Sequence, residues 1–180
     1  MSWSGVLAIV FLLFPGLAAA AGTAASAMPV TASPKCASAA HHQLDFWIGD
    51  WDAYEVDEHD KLVARNRVDP ILGGCVLHEL YEQNDGLVGE SYSIYDAARR
   101  VWHQTWVTNR GLLLVLEGRF DGGHLVLTGS GRGADGRPML ERGVWQAAAG
   151  GVRETATAST DGGKTWTPLF DIMFRPHRPR

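Results

Sequence analysis

The chain has 180 residues, 46% hydrophobic and 20% charged, which is the composition of one ordinary folded domain and excludes a disordered, collagen-like or membrane-channel protein. Sixteen Lys and Arg against 20 Asp and Glu leave a net charge of -4. No basic cluster is longer than Arg99-Arg100, so there is no electrostatic footprint for a polyanion and nucleic acid is not an expected partner.

Residues 1–34 carry no charged side chain. The apolar run Val6 to Phe14, the Pro15-Gly16 break and the small residues Ala18 and Ala20 outline a secretory signal peptide over residues 1–20, with cleavage after Ala20 or, alternatively, after Ala27. Nine apolar residues are too few for a membrane helix, which needs ~20. Ser33-Pro34-Lys35 stands before Cys36 in place of a lipoprotein pattern, so no stable membrane anchor is expected after cleavage. The expected location is periplasmic or secreted. In that oxidising setting the two cysteines, Cys36 and Cys75, are expected to form a disulfide, the alternative being two buried thiols. Neither has a CxxC or CxxH partner, so no metal is expected there.

Residues 21–41 are mostly small residues and prolines and read as a flexible arm. The packed domain opens at HHQLDFWIGDW and spans residues 42–176, leaving a tail at 177–180. Turn signals then recur at Glu58-His59-Asp60, Pro70 to Gly74, Asn84-Asp85-Gly86, Asp96 to Arg99 and Asn109-Arg110-Gly111. They continue at Asp121-Gly122-Gly123, Gly131 to Gly136, Gly150-Gly151 and Asp161-Gly162-Gly163, so nine turns separate ten short strands. No segment between them holds a period of 3.6, which confines helix to residues 40–48. The expected fold is all-β: an antiparallel meander closing into an up-and-down barrel, since closure removes the edges an open sheet would expose.

Alternation assigns the walls. Trp102, Gln104 and Trp106 share one face of VWHQTWV, and Cys75, Leu77, Glu79 and Tyr81 share one face of the strand before it but one. Near the end, Leu169, Asp171, Met173 and Arg175 oppose Phe170, Ile172 and Phe174. Polar groups among large aromatics imply a partly open, hydrated interior. The candidate ligand-binding residues are Tyr81, Trp102 and Trp106 for stacking, with Glu79, Gln104 and Arg142 orienting polar groups; ordinary core is the competing role for each aromatic.

The segments LDFWIGDWDAYE, GGCVLHELYE, SYSIYDAARRVWHQTWV and STDGGKTWTPLFDIMFR resemble the bacterial family catalogued as domain of unknown function 1579, a lipocalin-like group, over residues 42–175. The resemblance implies a calycin-type barrel rather than an activity. Gly49-Asp50-Trp51 also resembles the Gly-x-Trp of lipocalins, which implies that Trp51 plugs the barrel floor with Arg175 stacked over it. A guanidinium can stack on an indole while donating to carbonyls at the closing seam. The haem-binding nitrobindins carry a glycine-rich Gly-x-Trp-x-Gly-x-Gly segment that Gly49-Asp50-Trp51-Asp52 does not match, so haem is not expected. Ser159 to Trp166, STDGGKTW, matches the Asp-box, in which Asp161 would staple a hairpin turn and Trp166 pack beneath it.

Of seven histidines, only His78 and His103 fall within strands, both on the face opposite the aromatic set; His41, His42, His59, His124 and His177 do not form a metal spacing. No metal or other cofactor is expected. There is no GxSxG elbow, phosphate loop or dinucleotide fingerprint. Glu79, Glu117, Glu154 and Asp171 could approach one another across a barrel, which keeps an enzyme with an interior carboxylate as the alternative, although no catalytic residue is assigned. The leading reading is an exported lipocalin-like barrel binding a small, partly apolar molecule; a structural or interaction barrel with a filled core is the third, and the oligomeric state is open.

Overall fold

The computed structural model describes residues 35–56, 61–133 and 136–179; the signal-peptide segment and the expected turn at Glu58-His59-Asp60 lie outside the described residues. Two short 3-10 turns, Ala39–His42 and Asp45–Trp47, precede the strands. They are held by bonds three residues apart, such as His41 N donating to Ser38 O at 2.9 Å and Trp47 N to Leu44 O at 3.0 Å. Ten strands follow: β1 (Gly49–Glu55), β2 (Lys61–Ile71), β3 (Val76–Gln83), β4 (Val88–Asp96), β5 (Val101–Thr108), β6 (Leu113–Asp121), β7 (His124–Arg132), β8 (Pro138–Ala148), β9 (Gly151–Ser159) and β10 (Thr167–Pro176). Each pairs antiparallel with its chain neighbour, and β1 pairs with β10, so the meander closes into a lipocalin-like barrel as the turn spacing predicts.

The turns form where the sequence supplies their chemistry. At Asn84-Asp85-Gly86 the glycine takes φ 87°, Asp85 Oδ1 accepts from Leu87 N at 3.0 Å, and Gly86 N donates to Gln83 O at 3.0 Å. The Asp161 carboxylate accepts from Lys164 N and Thr165 N, both at 3.0 Å, from Thr165 Oγ1 at 2.7 Å and from Ser159 Oγ at 2.8 Å. These donors, led by the Thr165 hydroxyl and amide, hold its pKa well below the usual carboxylate range. Trp166 Nε1 donates to Gly163 O at 3.0 Å, completing the staple expected of STDGGKTW.

One end of the barrel is closed. Leu44 and Trp47 from the N-terminal turns are fully buried against the inward residues Trp51, Leu125, Leu127, Val152 and Phe174. The Trp47 ring centroid lies 5.9 Å from that of Trp145 and 6.4 Å from that of Phe174, and Trp51 Nε1 donates to Trp47 O at 3.0 Å. Trp51 is therefore a floor residue, but Arg175 does not cover it. Strand parity turns Arg175 to the outer wall, where its guanidinium sits 4.6 Å from the Tyr54 ring centroid. The seam stack exists on Tyr54 instead.

The Cys36–Cys75 disulfide forms, with Cα atoms 5.2 Å apart, and joins the segment before the turns to the β2–β3 connection at this closed end. Residues 35–41, placed by the sequence in the arm, are thus tied to the barrel. The tail also pairs: His177 N donates to Asp50 O at 2.8 Å, extending the β1–β10 ladder beyond Pro176.

Two bulges change the parity that simple alternation predicts. The β1–β2 register shifts at Val63, so Val63 and Ala64 both contact the interior; the β9–β10 register shifts at Leu169. The first brings Val63 and Lys61 to the wall of the open end, while Asn66 and Val68 are buried deeper along the strand.

Candidate functional site

Above the packed floor the barrel encloses a cavity of about 440 Å³, within the usual size range of small-molecule pockets. Its borders come from the strand ends remote from the N-terminal turns: the end of β3 with Tyr81 and Gln83, the end of β5 with Trp106, the start of β6 with Leu114, the start of β8 with Glu141 and the start of β10 with Phe170. Glu79, Gln104, Trp145 and Glu154 border it at mid-depth.

Two glycines shape the walls by what they omit. A Cβ on Gly89 would stand 2.2 Å from the Trp106 ring, and one on Gly143 would stand 2.5 Å from the Trp145 ring. Each indole thus lies flat over a bare stretch of backbone, leaving the space in front of it open.

The polar groups form a connected set. Ser91, opposite Glu79 in the β3–β4 register, donates from Oγ to Glu79 Oε2 at 2.7 Å. Gln104 Nε2 donates to Ser91 Oγ at 3.4 Å and to Ser93 Oγ at 3.2 Å. Glu79 is only 5% exposed, and burial pushes its carboxyl up to about 7, against the lowering effects of Ser91 and Asn66. Glu154 is pushed well above the ordinary carboxylate range by burial first and then by the Glu79 charge. Burial raises Glu141 as well, and it raises the Tyr81 phenol, which also feels Glu154 and Glu79.

Asn66 and Trp145 each lie beside one of these carboxyls, Asn66 by Glu79 and Trp145 by Glu154. Yet both side-chain polar atoms of Asn66 and the Trp145 Nε1 are buried without a hydrogen bond of normal geometry. Buried polar groups in folded proteins are nearly always satisfied, so these two stand out beside the carboxyls that border the cavity. Among the described residues bordering the cavity four are glutamates, Glu55, Glu79, Glu141 and Glu154, and Lys61 at the mouth is the one basic side chain.

Of the residues singled out from the sequence, Glu79, Tyr81, Gln104, Trp106 and the candidate carboxylate Glu154 meet at this cavity. Trp102 is interior but belongs to the floor: it is buried in the core cluster, and its Nε1 donates to Gln43 Oε1 at 3.3 Å. Arg142 is corrected more fully, because it lies on the outer wall with its guanidinium 3.8 Å over the Trp166 ring, a cation–π contact that anchors the Asp161 turn. Glu117 and Asp171 are likewise outside, paired with Arg99 and Arg153 respectively. His78 and His103 face outward on Glu90 and Glu117. No group of three or more His, Cys, Asp or Glu suited to a metal occurs among the described residues.

Glu55, Asn66, Glu141 and Trp145 were missed. Trp145 carried a usable signal, since an inward Trp145 places Gly143 and Glu141 on the same face and sends Arg142 outward. Comparison of the chain with family models and with curated proteins gave no match.

Proposed function

We propose that this protein is an exported barrel, of the kind grouped as domain of unknown function 1579, that binds a small, partly apolar molecule in its interior. The observation that carries the reading is the cavity of about 440 Å³ whose apolar walls, including Trp106, Leu114 and Phe170, surround the polar set of Glu79, Gln104 and Glu154. A filled structural core would have no reason to bury ionisable groups that lack a cation, because an unpaired buried carboxyl is costly. Export is supported by the charge-free apolar leader and by the Cys36–Cys75 bridge, which needs an oxidising compartment to persist. No helix among the described residues is long and apolar enough to cross a membrane.

The test is a tryptophan-fluorescence titration of the purified chain with small aryl-alkyl amines, alcohols and acids, together with mass spectrometry of whatever copurifies. Saturable one-to-one quenching by at least one class, reduced in Trp106→Phe, is expected. Failure of every class at millimolar concentration, with nothing copurified, contradicts the reading. General acid–base catalysis by Glu79 is the second reading, favoured by a carboxyl held at about 7, near the optimum for proton transfer at neutral pH. It predicts recovery of a bound probe in chemically altered form.

A further inference from the structure

We infer that the cavity selects a ligand with a protonated amine on an apolar body, the ammonium group seated between Glu79 and Glu154. This deepens the binding reading and rests on it.

The argument begins with acceptors. An ammonium group has three N–H donors and no acceptor. Ser91 donates to Glu79 Oε2, and this carboxyl borders the cavity, where it can also accept from a guest. Glu154 comes from β9 and is close enough to be raised by the Glu79 charge. The cavity therefore offers carboxyl acceptors from β3 and β9, with no buried basic side chain among the described residues bordering it.

The surrounding charges favour the same sign of guest. Glu79 on β3 is faced by Glu154 on β9, Glu141 on β8 and Glu55 on β1; Tyr81 shares its own strand, and β4 and β5 contribute the neutral Ser91 and Gln104. Lys61 on β2 stands at the mouth. A carboxylate ligand would add a like charge to this group, whereas an ammonium would neutralise it, and low-dielectric walls strengthen either effect. A neutral alcohol would gain the apolar contacts without the charge-assisted bonds.

The pairing also fixes a pH dependence. A carboxyl that is protonated in the empty cavity must ionise to hold a cation, so binding releases protons and affinity rises with pH until the amine itself deprotonates.

Three probes with one body and different heads separate the alternatives: phenylbutylamine, phenylbutanol and phenylpentanoate, each titrated calorimetrically into the full chain with its disulfide formed. The amine is expected to bind at least about tenfold more tightly than the alcohol, with the acid weakest. Its affinity should rise about tenfold between about pH 5.5 and 8, with proton release visible as a dependence of the heat on buffer. Glu79→Gln should weaken the amine about tenfold and leave the alcohol within about threefold. Glu154→Gln serves as a second variant should the first lose its native near-ultraviolet spectrum. An alcohol that binds as well as the amine, or an acid that binds best, overturns the amine assignment while leaving the binding reading in place. No saturation by any of the three at millimolar concentration removes both.

Discussion

At the closed end of the barrel the inward positions are Trp51, Trp102, Leu125, Leu127 and Val152, interleaved with Leu44 and Trp47 from the N-terminal turns. At the open end the same alternation presents Glu79, Gln104, Glu141 and Glu154 between aromatics that lie over glycines. The floor is packed with apolar side chains, and within it Trp51 donates to the Trp47 carbonyl. The mouth keeps volume and places carboxyls on its walls, as at Glu141 and Glu154. One pleated wall can therefore be a fold-holding core along half its length and a ligand chamber along the other, and the division is made by side-chain size rather than by backbone topology.

The largest expected effect separates the two ends directly. Trp51→Ala should lower stability by about 3 to 5 kcal/mol, as for a fully packed tryptophan, whereas Trp106→Ala at the partly covered mouth should cost under about 2 kcal/mol by chemical denaturation. Equal costs would erase the distinction. Next in size, replacing both Cys36 and Cys75 by Ser should cost about 3 to 4 kcal/mol by loss of loop-closure constraint over 39 residues, and should loosen the floor rather than the mouth. Free-thiol titration of the unreduced, denatured chain should find none.

Glu79 gives an effect of the order of 3 kcal/mol that is visible only through pH. Its folded pKa of about 7 exceeds its ordinary value of 4.5, so the stabilisation it contributes is fully present below about pH 4.5 and is lost as pH rises through 7. Glu79→Gln should flatten the fall in stability between about pH 5 and 8, measured as the difference between the two denaturation series. An unchanged pH profile would mean that the mouth is as hydrated as bulk solvent. The smallest effect belongs to Gln104→Leu, expected to cost about 1 kcal/mol, because its bonds to Ser91 and Ser93 are long and Ser91 keeps its bond to Glu79.

The barrel was legible because Gly, Asn and Asp mark its turns, and the disulfide because an even pair of cysteines stood alone. The face of β5 was legible too, since Trp102, Gln104 and Trp106 do point inward. Depth was not. Trp102 and Trp106 are four residues apart, about 13 Å along a strand, and that distance carries the chain from the floor to the mouth. Alternation reports which face a residue occupies and says nothing of which layer. Arg142 failed for a different reason: the alternation of β8 about an inward Trp145 already turns it outward, where its guanidinium lies over Trp166. The bulges at Val63 and Leu169 shift parity without a sequence mark, and they decide which residues of β2 and β10 border the chamber.

The open interior is tested most directly by filling it. Ala156 lies on the inner face of β9, between Gly143 on β8 and Phe170 on β10, and borders the cavity. A phenyl group at this position would enter the open volume of the chamber rather than the packed side chains of the floor. The denaturation curve of Ala156→Phe should therefore stay within about 1 kcal/mol of the parent, whereas a loss of about 1 to 3 kcal/mol or more, the cost of overpacking a filled core, would contradict an open chamber.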